Sequence, residues 1–85
     1  MPMSEEIPPE EAFALLGNET RVAIIRELGT ADDPRSFSDL HAAVGVRDSG
    51  GFNYHLQKLV GSFVRRTDEG YELSGAGERI HESVD

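Results

Sequence analysis

Residues 38–60 read SDLHAAVGVRDSGGFNYHLQKLV, and the fold turns on this run. Leu40 and Val44 stand four apart in a short helix over 39–44, with Ser38 as its cap and Gly45 as its stop. Residues 46–48 make the connection, and Ser49 caps a second helix. In that helix Phe52, Leu56, Leu59 and Val60 fall within one narrow sector at about 100° per residue, so they must face a core. A short capped helix, a tight glycine-containing turn and a second capped helix have the spacing of a helix-turn-helix.

Upstream, residues 1–8 carry Pro2, Pro8 and two glutamates without apolar periodicity, which reads as a loose tail. Pro9 opens a helix through Leu16 with Glu10 and Glu11 in its first turn, where the helix dipole favours them. Asn18 caps a further helix through Leu28, with Gly29 as its stop. Val22, Ile24, Ile25 and Leu28 give it a broad buried face. Residues 30–36 contain Asp32, Asp33 and Pro34 and form a turn, after which Phe37 could pair briefly as an edge strand. Downstream of Gly61 the period changes to two. Residues 63–67 and 71–73 are short β-type runs joined by Asp68, Glu69 and Gly70, a hairpin with glycine available for a left-handed position. Ser74 caps a last helix in which Ala76, Ile80 and Val84 repeat every four residues. Three helices followed by a hairpin and a closing helix (ααα-ββ-α) make a winged helix-turn-helix over 9–85, a mainly α fold with one small β-hairpin.

Eighty-five residues make one small domain with a modest core, which a dimer would help to stabilise. The chain has no cysteine, which excludes a disulfide framework, a thiolate metal site and a cysteine nucleophile. No apolar run reaches membrane-spanning length, and the first residues lack the order of a signal peptide, so a cytoplasmic protein with no membrane partner is expected. Sixteen acidic residues stand against eight basic ones, a net charge of −8 that should repel nucleic acid. The charge is unevenly placed. Residues 47–66 hold Arg47, Lys58, Arg65 and Arg66 against Asp48 alone, a local +3, while the rest of the chain carries −11.

The sector of the second helix opposite its apolar residues holds Gly50, Gly51, Tyr54 and Lys58, with His55 and Gln57 on the flanks and Asn53 at the core's edge. It carries no carboxylate and suits a major groove lined with acceptors and phosphates. Gly50 and Gly51 either clear the helix N-terminus for a phosphate or base edge, or merely permit a tight turn. In the hairpin, alternation sends Arg65 and Arg66 to opposite faces unless the strand twists, and either is within reach of Asp68, Glu69 or Glu72. The expected DNA contacts are therefore Arg47, Ser49, Gly50, Gly51, Asn53, Tyr54, His55, Gln57, Lys58, Arg65 and Arg66.

Three strings carry a family resemblance: residues 16–28 (LGNETRVAIIREL), 53–59 (NYHLQKL) and 70–77 (GYELSGAG). Over residues 13–80 the chain resembles the ArsR-like winged-helix transcriptional regulators, particularly the small acidic versions of halophilic archaea, with His55 and Leu56 at the family's His-Leu pair. The resemblance implies a homodimer, packed through the first and last helices, that places two recognition helices in successive major grooves of double-stranded DNA. Phe13, Leu16, Ile80 and Val84 are the candidate dimer contacts, or they only complete the monomer core. The chain departs from the metal-sensing members at residues 37–41, where Phe37, Ser38, Asp39, Leu40 and His41 stand in place of a cysteine pair. His81, Glu82 and Asp85 read as solvated surface residues, so neither a metal nor a cofactor is expected. No His-Asp-Ser set, phosphate loop or paired carboxylates point to an enzyme, and no effector pocket is legible. The alternative is a protein-interaction winged helix, or the N-terminal part of a larger regulator, without autonomous DNA binding.

Overall fold

A computed structural model describes residues 7–84, the side chain of Val84 excepted. Residues 1–6 of the expected tail and Asp85 lie outside the described residues. Within them the chain is mainly helical, with five helices and one two-stranded antiparallel hairpin. Four helices precede the hairpin rather than three.

Helix α1 (Pro9–Leu16) has proline at its first position and two glutamates in its first turn, and ends at Gly17. Helix α2 (Glu19–Thr30) is capped by Asn18, whose side-chain oxygen accepts from the N–H groups of Thr20 at 2.8 Å and Arg21 at 3.2 Å. Gly29 does not stop α2, which runs on to Thr30 while the Ala31 N–H closes it on Leu28 O. The glycine serves packing instead. A Cβ at Gly29 would fall inside the imidazole of His81 on helix α5 (Gly75–Val84).

Helix α3 (Phe37–Val44) begins two residues earlier than expected because Ser36, not Ser38, caps it, accepting from Asp39 N–H at 3.1 Å. The brief strand-like pairing shifts by the same two residues. Arg35, not Phe37, exchanges both backbone hydrogen bonds with Tyr71, at 2.9 and 2.8 Å. Phe37 turns inward to meet the Phe52 ring edge-on, with centroids 5.3 Å apart. Gly45 ends α3 in the left-handed conformation. His41 then holds the turn that follows, its Nε2 donating to Val46 O at 2.6 Å.

Helix α4 (Ser49–Leu59) follows, and after it strands β1 (Val64–Thr67) and β2 (Gly70–Leu73) pair with Arg65 opposite Glu72 and Arg66 opposite Tyr71. Gly70 lies within β2 at φ 135°, and a side chain there would strike the Arg35 carbonyl. Phe63 stays outside β1 and is buried beside Val64. Ser74 ties the hairpin to α5: its hydroxyl donates to Ser62 O at 2.7 Å and accepts from Gly77 N–H at 3.1 Å.

One core results. Ile24, Ile25 and Leu28 of α2 meet Leu40 of α3, Phe52, Leu56 and Leu59 of α4, and Val64, Tyr71 and Leu73 of the hairpin. Leu15 closes it from α1 and Ala76 from α5. Close packing leaves no room for added atoms. A Cβ at Gly77 would overlap the Phe63 carbonyl, so Gly77→Ala should destabilise the domain by about 1–3 kcal/mol. A urea midpoint equal to wild type would contradict this packing.

Candidate nucleic-acid interface

The orientation of α4 follows from its apolar face. Phe52, Leu56 and Leu59 are each wholly buried, as the sequence spacing requires, and Val60 is half-buried at the helix end. The opposite side is therefore outward. Tyr54 is 57% exposed, and Lys58 stands one turn on with its ammonium 5.6 Å from the Tyr54 ring centroid. That is cation–π distance, so the two side chains present one joint surface.

The first turn of α4 differs from expectation. Asp48 rather than Ser49 is the cap, its carboxylate accepting from Gly50 N–H at 3.1 Å. A Cβ at Gly51 would stand 3.0 Å from the Asp48 carboxylate, so Gly51 makes room for the cap. A negative charge of the chain's own thus occupies the place where a phosphate was expected, and the available surface shifts along the helix towards Tyr54 and Lys58. Gly50 has open space beyond ordinary contact with Asp48, and Arg47 and Ser49 are exposed.

Asn53 and Gln57 are both exposed and joined to each other, Gln57 Nε2 donating to Asn53 Oδ1 at 3.2 Å. Gln57 also donates to the Tyr71 hydroxyl at 3.4 Å, which ties α4 to β2. A buried tyrosine needs a partner for its hydroxyl, and Gln57 supplies it.

The two hairpin arginines separate in role. Arg65 bonds the Glu72 carboxylate opposite it at 2.9 Å, so its charge is largely neutralised. Arg66 is exposed, and no ion pair among the described residues involves it. It lies opposite Tyr71, on the hairpin side that faces α4. The structure therefore pairs Tyr54 with Lys58 and Asn53 with Gln57 on the exposed side of α4, and sets Arg66 on the hairpin opposite the tyrosine that Gln57 bonds.

His55 points elsewhere. Its Nδ1 lies 3.0 Å from Nη1 of Arg21, and the same guanidinium donates from Nε to Leu15 O at 2.6 Å and from Nη2 to Ala14 O at 3.1 Å. Arg21 was not among the residues singled out from sequence. The available signal was a cation in the first turn of α2, where the helix dipole disfavours it. It serves the negative end of α1 instead, whose own last turn has no basic residue.

Of the candidate dimer residues, Phe13 is 77% exposed, whereas Leu16 and Ile80 pack partly against the core. The side chain of Val84 lies outside the described residues, as does Asp85 of the dismissed histidine-carboxylate set. Among the described residues no group of three or more His, Asp or Glu side chains is placed to hold a metal ion, and no helix is long and apolar enough to cross a membrane.

A family model described as a domain of unknown function, DUF7347, matches residues 9–84. The chain belongs to that family. No curated protein and no solved structure matches it.

In this DUF7347 domain the surroundings of the histidine on α4 also disfavour its protonation. Burial, and then the Arg21 charge, push the His55 pKa below 6.5. The unfolded chain consequently binds more protons than the folded one just below pH 6.5, and stability is lost as pH falls through that range. The urea midpoint should drop between pH 7.5 and 5.5, and His55→Gln should flatten that drop. Equal drops in wild type and variant would contradict a lowered His55 pKa.

Proposed function

We propose that this domain is a sequence-specific regulator of transcription that binds double-stranded DNA, built as a winged helix-turn-helix with α4 as the recognition helix and the β1–β2 hairpin as the wing. The observation that carries the reading is the Tyr54–Lys58 surface. It stands outward because the opposite side of α4 is wholly buried, and Arg66 lies on the neighbouring hairpin. A cationic, aromatic and amide-bearing helix face of this kind meets acceptors and methyl groups in a major groove, with Arg66 at the backbone. The resemblance of residues 16–28, 53–59 and 70–77 to ArsR-like regulators of halophilic archaea supports it, as does the element order.

A net charge of −8 opposes DNA at low salt. At about 1 M salt the Debye length is about 3 Å, so long-range repulsion from the acidic body is screened while contacts made at the surface persist. A saline cytoplasm is the setting in which such a protein binds DNA. The exposed Phe13 on α1 supports a homodimer, which would set two α4 helices one helical turn of DNA apart. The competing reading, a protein-interaction module without DNA binding, draws on Asp48 at the α4 N-terminus and on the Arg65–Glu72 pair.

Tyr54→Ala combined with Lys58→Ala should lower retention of a bound duplex by at least about tenfold. Because both side chains are exposed, stability should stay within about 0.5 kcal/mol of wild type. Unaltered retention refutes the assignment. Phe13→Asp should convert a dimer into monomers by light scattering; a wild-type protein that is monomeric with and without DNA rules the dimer out.

A further inference from the structure

We propose that Arg21 is a positioning residue through which α1 sets the DNA-facing surface: clamped on the α1 carbonyls, it holds His55 with its proton on Nε2 at the flank of the Tyr54–Lys58 strip. The function of that proton rests on the DNA reading above; its placement does not.

A guanidinium only donates hydrogen bonds, so an imidazole nitrogen 3.0 Å from Arg21 Nη1 must be the acceptor, and His55 carries its proton on the other nitrogen. The guanidinium is a rigid planar fork. Its other two nitrogens are committed to Leu15 O and Ala14 O. Those carbonyls belong to the open end of α1, an eight-residue helix too short to persist without tertiary support. Where α1 sits therefore decides where the guanidinium plane sits, and the plane decides the imidazole.

His55 Nε2 is neither enclosed nor bonded to any described residue. The imidazole and the Tyr54 ring are 5.3 Å apart between centroids and inclined at 72°, so the histidine adjoins the exposed strip. The groups facing His55 are the Arg21 cation of α2 and the Tyr54 ring, with no carboxylate bonded to it. A neutral N–H there is a fixed single donor for a phosphate or base acceptor. With the proton on Nδ1 that donor would face a cation and the outward nitrogen would repel a phosphate. Phe13, exposed on α1 one residue before Ala14, links the same clamp to whatever seats on α1.

The test reads the proton directly. Long-range ¹H–¹⁵N NMR of the full domain at neutral pH should show His55 as the Nε2–H tautomer alone. In Arg21→Lys, which keeps the charge but not the fork, and in Arg21→Leu, a mixture should appear. A wild-type proton on Nδ1, or a tautomer unchanged in a folded Arg21→Leu variant, overturns the proposal. Should Arg21→Leu fail to fold, the wild-type spectrum and Arg21→Lys still decide. For function, Arg21→Leu should lower affinity for a retained duplex about tenfold, the worth of one hydrogen bond to a charged group. Adding His55→Gln to it, whose amide donates from the position of Nε2, should recover part of that loss. No recovery, with folding intact, means that Arg21 acts only on structure. A wild-type domain that retains no duplex removes the DNA reading, and the tautomer spectra then decide the clamp alone.

Discussion

Burial of one ridge of α4 is the constraint on which the rest depends. Phe52, Leu56 and Leu59 lose all contact with solvent by packing into the core shared with Ile24, Ile25 and Leu28 of α2. Each such side chain contributes about 1.5–3 kcal/mol on burial, a large share of the stability of any domain this small. Rotating α4 by even one residue would expose the ridge and bury Tyr54 or Lys58. The outward surface is thus the complement of the core, and its composition can be read for function because its orientation is not free.

Polar joints then fix where each element sits around that helix. His41 closes the turn before α4, Tyr71 and Gln57 tie it to the hairpin, and Arg21 with His55 ties it to α1 and α2. Ser74 closes the other end of the hairpin onto α5. Each of these joints adds a directional contact to segments that also pack through apolar side chains. Close approaches reinforce them. Gly29 admits the His81 ring, and Gly70 and Gly77 admit backbone carbonyls. Each glycine stands where a side chain would hold two elements apart.

Local signals in the sequence were faithful wherever the cause was local. Pro9, the Asn18 cap, the Gly45 stop and the two faces of α4 follow from dihedral preference and helical period, and the structure has them in place. The ends of α3 and α4 slipped because Ser36 and Ser38, or Asp48 and Ser49, are equally able caps, and tertiary packing chose between them. Gly29 misled for a different reason: its explanation lies 52 positions away at His81. Arg65 and Arg66 looked alike until strand register paired the first with Glu72 and left the second exposed opposite Tyr71. Arg21 was hidden because its partners are two carbonyls and an imidazole from other helices, which no spacing within α2 announces.

The central claim is that the outward strip of α4 reads DNA despite an acidic body. Selection of the wild-type domain against a pool of random duplexes at high potassium tests it most directly. Convergence on a short motif, repeated in two halves if the domain is dimeric, is the expected result. A pool that stays random through successive rounds, at low and at high salt alike, would contradict it.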